Sequence, residues 1–286
     1  MTASQALPIA PEDLAAARQG LRDLLCRGDR WSIAVSGGVD SVTLATLAHR
    51  DHGGVPPVMV HATSPAVPFQ ALPRLRDHAR QEGWDFRIVT AGELQDANYR
   101  ANPYNRCYFC KSSLYTTMFR ELSAQQRDGV IMASGANTDD LGEHRPGLVA
   151  AAEFGVRHPF VEAGIGKEMI RALARSLGLT GFSELPAQPC LASRVETGLR
   201  IQPADLQSID RLETRLREMA GPSVTLRVRL RRSGMCLELD SAVLDDPVLT
   251  ARLDTEARRS VAAGGYDYGG ISPYRRGSAF VKELEQ

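Results

Sequence analysis

The feature that most constrains this chain is a glycine-containing turn between a buried strand and a helix. Residues 31–35 form a short apolar run bounded by polar residues, which is typical of a buried strand. Residues 36–41 read Ser-Gly-Gly-Val-Asp-Ser, and residues 42–49 then show helical spacing. Glycine permits positive φ and close backbone approach, and the first N–H groups of a helix attract anions. The sequence therefore predicts a pyrophosphate-binding turn at residues 36–41.

The chain lacks the G-x-x-x-x-G-K-[ST] pattern, in which a lysine reaches the β- and γ-phosphates. Transfer of the γ-phosphoryl group is therefore not the favoured chemistry. The turn instead favours a reaction that handles pyrophosphate.

Further strands are predicted at residues 57–61, 86–89 and 130–134, with helices at 72–82 and 111–125 between them. Strands that alternate with helices predict an α/β fold with a doubly wound parallel sheet. Ligands bind beyond the carboxyl ends of the strands in such sheets, which is where Ser36, Thr63 and Gly135 fall.

A loop rich in proline and polar residues at 183–189 marks a predicted domain boundary. We expect a nucleotide-binding domain over residues 1–182 and a smaller α/β domain over residues 183–286. The second domain is predicted to contain helices at 203–219 and 247–263 and a hairpin formed by residues 224–230 and 235–239.

Composition narrows the possible partners. The chain has 34 basic and 34 acidic residues and a formal net charge of +0, without the basic excess typical of nucleic-acid binders. Residues 1–20 lack a basic start followed by an apolar core, and no uncharged apolar run approaches bilayer length. We expect a cytoplasmic protein with a small-molecule nucleotide substrate, and with neither a nucleic acid nor a membrane as its partner.

Five cysteines in a chain without an export signal favour thiol or metal chemistry over disulfides. Cys107 and Cys110 form a C-x-x-C pair, and Cys190 lies in the loop at the domain boundary. Three thiolates can hold three corners of a [4Fe–4S] cluster and leave one iron open. A zinc site is the alternative, although it needs a fourth Cys or His. We expect Cys26 and Cys236 to be structural.

The turn matches the S-G-G-x-D-S motif of the PP-loop ATP pyrophosphatase superfamily, whose members cleave ATP between the α- and β-phosphates. The resemblance implies that Ser36, Gly37, Gly38 and Ser41 bind ATP and that Asp40 positions Mg²⁺. Thr63 lies where the family binds adenosine. The nearby Asn137 and Asp139 are further candidate ATP ligands, although such residues are equally common in plain turns and helix caps.

Four segments that follow the turn, residues 102–111, 137–140, 144–147 and 189–194, resemble the LarE-type sacrificial sulfur transferases. That family converts carboxylates of pyridinium-3,5-biscarboxylic acid mononucleotide to thiocarboxylates for the nickel-pincer nucleotide cofactor. The resemblance implies an adenylating enzyme in which Cys190 gives up its own sulfur, or in which a [4Fe–4S] cluster on Cys107, Cys110 and Cys190 carries a sulfide. The three cysteines favour the cluster branch. Family members assemble through the smaller domain, which implies a homo-oligomer.

The substrate of that family carries a phosphate, which the planar fork of arginine suits. The candidates are Arg194, Arg227 and Arg229. The last two alternate with apolar residues and would share one strand face, either as a clamp or as a solvated surface. Glu213 and Glu238 are candidates for an acidic metal site.

Three other functions remain open. A transfer-RNA thiolase would show salt-dependent RNA binding. An ammonia-using, amidotransferase-type synthetase would tolerate replacement of all three cysteines. A non-catalytic nucleotide- or iron–sulfur-sensing module would bind ATP without releasing pyrophosphate.

Overall fold

The computed structural model describes residues 9–26, 30–122, 129–142, 145–186, 189–221 and 224–281. His144, from one of the segments that carry the family resemblance, and residues 187–188 of the predicted boundary loop lie outside the described residues.

The strands are β1 (Arg30–Ala34), β2 (Val58–Thr63), β3 (Asp85–Thr90), β4 (Val130–Ser134), β5 (Leu226–Arg231), β6 (Gly234–Leu239) and β7 (Tyr268–Pro273). The helices are α1 (Pro11–Leu25), α2 (Val39–Arg50), α3 (Ala71–Glu82), α4 (Ala97–Arg100), α5 (Arg106–Glu121), α6 (Pro146–Glu153), α7 (Pro159–Glu162), α8 (Lys167–Ser176), α9 (Thr180–Ser183), α10 (Pro203–Ala220), α11 (Ser241–Leu244) and α12 (Pro247–Ala263). Short 3₁₀ turns occur at Glu93–Gln95, Thr138–Asp140 and Leu191–Arg194.

The described residues fall into two compact units. The first contains the described residues within Met1–Thr63, Gln70–Ala91 and Lys111–Leu185, and the second contains those within Ser64–Phe69, Gly92–Cys110 and Pro186–Gln286. The predicted domains, 1–182 and 183–286, assign residues 64–69 and 92–110 to the N-terminal domain, whereas the compact units place both segments with the C-terminal part. The domain boundary itself stays a prediction.

The first unit is built on a parallel sheet with the order β3-β2-β1-β4. Successive strand residues point to opposite faces, and both faces are covered. Ile33 belongs to a core cluster that includes residues of α1, α2 and α8. Ala34 belongs to a second cluster that includes Tyr115 and Met118 of α5. The prediction of an α/β fold with a doubly wound parallel sheet is confirmed.

The strand order determines where the turn at residues 36–41, called the nucleotide turn for its predicted ligand, lies in the sheet. The strand β1 is flanked by β2 on one side and by β4 on the other, so the direction of the chain connections reverses between β1 and β4. Ligands of open α/β sheets bind at such a reversal, beyond the carboxyl ends of the strands. Residues 36–41 follow β1 at this point, and residues 135–140 follow β4.

The second unit contains the predicted hairpin. The strands β5 and β6 pair antiparallel, with Val228 opposite Leu237. A core of Leu212, Val228, Leu237 and Val261 joins this sheet to α10 and α12. The hairpin requires Gly234, because its φ is +112° and a Cβ would lie 2.3 Å from the Asp267 carbonyl oxygen.

The strand β7 was not predicted. It pairs parallel with β6, with Ile271 opposite Leu237. Its sequence contains two glycines and ends in proline, which are poor strand formers. The strand therefore depends on its pairing with β6 rather than on local preference.

Within the part of the chain that the structure describes, no helix is both long enough and apolar enough to cross a membrane.

Candidate functional site

The turn after β1 is held in shape by a serine hydroxyl. Ser41 is buried, and its Oγ donates to the Gly38 carbonyl at 3.1 Å and accepts from the Ser36 N–H at 3.1 Å. Gly37 has φ +87°, and a Cβ there would lie 3.3 Å from both Ala71 Cβ and Leu75 Cδ1 of α3. Ser41 thus closes the turn. The positive φ of Gly37 and its close packing against α3 favour glycine at that position.

The turn leads directly into the N-terminus of α2. The first helical hydrogen bond is donated by Val42 N to Gly38 O at 3.1 Å. The N–H groups of residues 39–41 therefore have no acceptor within the helix and can bind an anion. Ser36 and Gly38 are exposed beside them. The structure brings the predicted phosphate-binding residues together, and their contact with ATP stays a prediction.

Gly135 brings the end of β4 against this turn. A Cβ on Gly135 would lie 2.8 Å from Ser41 N and 2.9 Å from Ser41 Cα. No side chain fits at these distances from backbone atoms, so only glycine allows β4 to approach α2. The sequence placed Gly135 at the strand end but gave no sign of this contact, which depends on residues that are distant in the chain.

Asn137 links the two halves of the candidate ATP site. It is fully buried, its Oδ1 accepts from Asp139 N at 3.1 Å, and its Nδ2 donates to Asp40 Oδ2 at 3.2 Å. The Asn137 N–H donates to Asp140 Oδ2 at 3.1 Å. Asn137 therefore caps the 3₁₀ turn and orients the carboxylate of Asp40, which was predicted to position Mg²⁺.

The environment of Asp40 suits a bound cation. Burial raises its pKa, Lys167 and Arg171 lower it, and the carboxylates of Asp140 and Asp139 raise it, with a net increase. A carboxylate that is partly desolvated beside other acids gains from a hard cation, which prefers oxygen ligands. Asp40 fits the predicted role in holding Mg²⁺, which stays a prediction.

Lys167 is a candidate functional residue that the sequence analysis missed. Its N–H donates to Asp139 Oδ2 at 2.6 Å, and its Nζ lies 3.7 Å from Asp140 Oδ1. It also acts electrostatically on Asp40. Lys167 is one of only three lysines in the chain and follows a glycine at the start of a helix, a signal that could have identified it. Its ammonium places a cation beside the turn at residues 36–41, which is predicted to bind phosphate and whose own motif contains no cationic residue.

Thr63 ends β2 on the same edge of the sheet. Its hydroxyl donates to the Val89 carbonyl of β3 at 3.1 Å. Its neighbour His61 is buried, with Nδ1 2.7 Å from the Val35 carbonyl oxygen. The predicted contact of Thr63 with adenosine stays a prediction.

The three candidate cysteines all belong to the second unit. Cys107 and Cys110 are partly exposed in the first turn of α5, and Cys190 is exposed immediately before the 3₁₀ turn Leu191–Arg194. The spacing of three residues places Cys107 and Cys110 on one side of the helix. Cys110 and Cys190 both act electrostatically on the buried hydroxyl of Tyr99. Of the other two cysteines, Cys236 is buried in β6, in line with a structural role.

Three thiols in one unit, two of them on one helical turn, match the ligands that a [4Fe–4S] cluster takes. The donor set therefore fits such a group. Among the described residues, no three His, Cys, Asp or Glu side chains lie close enough together to hold a single metal ion. The role of Cys107, Cys110 and Cys190 as metal ligands stays a prediction.

Arg194 holds the loop that carries Cys190. Its Nε and Nη2 each donate to one Glu213 oxygen at 3.0 Å, and its Nη1 donates to the carbonyls of Pro189 at 2.5 Å and Cys190 at 3.1 Å. All three guanidinium nitrogens therefore already have acceptors. Binding of a substrate phosphate by Arg194 stays a prediction, while its contacts show that it fixes the position of the Cys190 backbone.

Arg227 and Arg229 share one face of β5 and are both buried, so the alternative of a solvated strand face is wrong. Arg229 donates to Glu238 Oε2 at 3.0 Å and to the Ser193 carbonyl at 3.0 Å. Burial and the nearby Arg194 lower the pKa of Arg227 to about 10. Glu213 already acts electrostatically on Arg227, and binding of a substrate phosphate by Arg227 or Arg229 stays a prediction.

The two candidate acidic metal ligands are already neutralised. Glu213 forms ion pairs with Arg194 and Arg217, and Glu238 forms ion pairs with Arg229 and Arg231. These carboxylates bind arginines in the structure rather than forming an open cation site.

Glu213 makes the stability of the chain sensitive to acid. Burial alone would raise its pKa, but the buried Arg194 and then Arg217 hold it at about 2, below the ordinary 4.5. The folded-state pKa is lowered, so this stabilisation is complete above the unfolded pKa and is lost as the pH falls from about 4.5 towards 2. We expect Glu213→Gln to flatten this dependence and to cost about 3–5 kcal/mol at neutral pH, because it leaves Arg194 buried without its counter-charge.

Urea unfolding followed by circular dichroism from pH 7 down to about pH 3 would measure this effect. Glu218→Gln, at an exposed position of the same helix, is the control and should behave as wild type. Equal acid sensitivity in the Glu213 variant and the wild type would contradict the assignment.

The chain is similar over most of its length to three known proteins. It is 39% identical over 209 residues to the uncharacterised protein slr1717 of Synechocystis, and the match covers 73% of this chain and 76% of that protein. It is 29% identical over 195 residues to the uncharacterised protein MJ0830 of Methanocaldococcus jannaschii, and the match covers 68% of this chain and 72% of that protein. It is 27% identical over 226 residues to the pyridinium-3,5-bisthiocarboxylic acid mononucleotide synthase of Lactiplantibacillus plantarum, covering 79% of each. No family model matches the chain.

Proposed function

This chain belongs to the family of the Synechocystis protein slr1717, a family of LarE-like proteins, and we propose that it is an ATP-dependent sulfur transferase. The proposed substrate is pyridinium-3,5-biscarboxylic acid mononucleotide, and the proposed product carries a thiocarboxylate. The Lactiplantibacillus plantarum relative is a pyridinium-3,5-bisthiocarboxylic acid mononucleotide synthase, which supports this substrate class.

The observation that carries the proposal is the geometry of the nucleotide turn. Ser41 closes residues 36–41 over the free N–H groups of α2, and Gly135 brings β4 against them. Lys167 and Asp40 add a cation and a candidate Mg²⁺ ligand. Pyrophosphate needs donors and positive charge on several sides, and this constellation provides both.

The first step activates the substrate. A carboxylate oxygen of the substrate attacks the α-phosphorus of ATP, the bond between the α- and β-phosphates breaks, and pyrophosphate leaves with the electron pair. The N–H groups of residues 39–41 and the ammonium of Lys167 would stabilise the charge that develops on the pyrophosphate. The product is a mixed anhydride with AMP, which is a better electrophile than a carboxylate.

The second step delivers sulfur. A sulfur nucleophile attacks the carbonyl carbon of the mixed anhydride, and AMP leaves with the electron pair of the broken C–O bond. When Cys190 is the nucleophile, its thiolate forms a thioester with the substrate. A base, water in the simplest case, then takes the Cα proton of Cys190, and the Cβ–S bond breaks with its electron pair leaving on sulfur. The product is a thiocarboxylate, and a dehydroalanine remains in the chain. Arg194 positions this cysteine by holding the Cys190 carbonyl.

A second sulfur source fits the same residues. A [4Fe–4S] cluster held by Cys107, Cys110 and Cys190 would supply an open iron able to carry a sulfide. In that case Cys190 is a ligand rather than a donor, and the chain keeps its cysteine after each reaction.

The test is pyrophosphate release on addition of the pyridinium mononucleotide to the anaerobic chain with Mg²⁺ and ATP. We expect release that depends on the nucleotide, together with a thiocarboxylate product. Cys190→Ser should abolish the product, because it removes both the sulfur that Cys190 would donate and one of the three thiolates that would hold a cluster. It should leave the first pyrophosphate release in place. Release driven by transfer RNA, or amide formation with ammonia, would replace the proposal with one of the other functions.

A further inference from the structure

A hydroxyl in the second unit is buried without a hydrogen-bond partner. Tyr99, in α4, is 1% exposed, and its Oη has no acceptor or donor among the described residues. Leaving a buried polar atom unpaired is costly, so such atoms are usually satisfied in the functional state. The unpaired Tyr99 hydroxyl therefore indicates that a ligand or another species binds beside it.

Arg106 adds two more unpaired donors. Its side chain is 1% exposed, and its Nη1 donates to Asn102 Oδ1, while Nε and Nη2 have no partner among the described residues. The guanidinium carbon lies 4.6 Å from the centre of the Phe280 ring. Arg106 is thus held by Asn102 and Phe280, and its Nε and Nη2 remain available as donors among the described residues.

The side chain of Arg106 is held in place by its contact with Asn102. Asn102 is buried with φ +55°, a conformation that residues other than glycine adopt infrequently. Its Nδ2 donates to the Glu196 carbonyl at 2.8 Å, and its own carbonyl accepts from Gly198 N at 2.9 Å. These contacts hold Asn102, and through it the guanidinium of Arg106, in one orientation.

Glu93 supplies an unpaired acceptor. It is 2% exposed, and its Oε2 has no partner among the described residues. Glu93 and Arg106 both act electrostatically on the Tyr99 hydroxyl, as do the thiols of Cys110 and Cys190. Three buried residues with unsatisfied polar atoms therefore cluster beside two of the candidate sulfur-handling cysteines.

We propose that Tyr99, Arg106 and Glu93 form a binding site for a small anionic sulfur species, hydrosulfide or the terminal sulfur of a persulfide, beside Cys110 and Cys190. The proposal rests on the proposed function. In that reaction, the site would bind the sulfur species before its transfer to the substrate. Hydrosulfide matches the unpaired atoms in kind, because its lone pairs accept from the Tyr99 and Arg106 donors and its S–H can donate to Glu93. Chloride can only accept hydrogen bonds, so a site of this composition distinguishes the two anions.

The experiment measures binding of radiolabelled hydrosulfide to the full chain by anaerobic equilibrium dialysis, with a chelator present so that iron plays no part. We expect Tyr99→Phe and Arg106→Lys each to weaken binding by about tenfold or more, the range for a hydrogen bond to a charged group. Tyr266→Phe is the control, because its hydroxyl donates to Asp205 Oδ1 at 2.6 Å in the same unit. That variant should bind hydrosulfide as wild type does.

Thermal unfolding of the sulfide-free chain separates a ligand site from a structural contact. Tyr99→Phe removes an unpaired hydroxyl and should leave the Tm equal or higher, whereas Tyr266→Phe removes a paired hydroxyl and should lower it. Unchanged hydrosulfide affinity in Tyr99→Phe, equal binding of chloride, or a lowered Tm in Tyr99→Phe would each overturn the proposal. A chain that binds hydrosulfide but releases no pyrophosphate would instead overturn the proposed reaction and leave this site standing.

Discussion

Alanine in place of Gly135 is expected to weaken ATP binding by about 10- to 100-fold, the range for losing a hydrogen bond to a charged group. The new Cβ would lie 2.8 Å from Ser41 N, 2.9 Å from Ser41 Cα and 3.0 Å from the Asp40 carbonyl carbon. All three are backbone atoms of α2, so relief requires movement of the helix N-terminus whose N–H groups we propose to bind the phosphates of ATP. Overpacking of this kind should also cost about 1–3 kcal/mol in stability.

Gly142→Ala is the matched control, because a Cβ at Gly142 meets no atom of the described residues within 4 Å. Isothermal titration with a non-hydrolysable ATP analogue and Mg²⁺ measures the affinity, and urea unfolding measures the stability. Wild-type affinity in the Gly135 variant would show that the contact between β4 and α2 does not shape the nucleotide site.

Asp40→Asn is expected to abolish Mg²⁺-dependent pyrophosphate release while leaving the metal-free chain as stable or more stable. Burial and the carboxylates of Asp140 and Asp139 raise the pKa of Asp40 above 3.8, although Lys167 opposes them. A carboxyl whose pKa is raised by folding favours the folded state when protonated, so its ionisation reduces stability as the pH rises through that range. Asparagine carries no charge and can still accept from Asn137, so it relieves this cost but cannot replace a Mg²⁺ ligand.

The Tm from neutral to acidic pH, without metal, and pyrophosphate release with Mg²⁺ and ATP measure the two effects. Asp77→Asn, in an exposed ion pair with Arg80, is the control for the removal of one acidic charge. Loss of stability at neutral pH in Asp40→Asn, or retention of Mg²⁺-dependent release, would contradict the role assigned to Asp40.

The nucleotide turn could be predicted from the sequence because its determinants are local. Residues 30–41 carry the strand, the turn and the helix start within one short segment, and the structure forms all three there. The strand at 130–134 and the helix at 247–263 have the predicted bounds for the same reason. Apolar spacing and proline positions alone define them.

Features that depend on distant residues could not be predicted in this way. The need for glycine at Gly135 comes from Ser41, and the role of Lys167 comes from Asp139 and Asp140. The alternation at Arg227 and Arg229 fits a buried face and a solvated one equally well, and burial of both arginines with Glu238 nearby decides between them. The unpaired atoms of Tyr99 and Arg106 likewise become visible only when burial is known.

Sulfur transfer by this chain is tested by the mass of the pyridinium mononucleotide after a single reaction with the anaerobic chain, ATP and Mg²⁺. We expect one carboxylate oxygen to be replaced by sulfur and one pyrophosphate to be released for each replacement. Cys190→Ser should yield no sulfur-containing nucleotide. A nucleotide that keeps both carboxylates, or one that gains sulfur equally with Cys190→Ser, would contradict the proposed function.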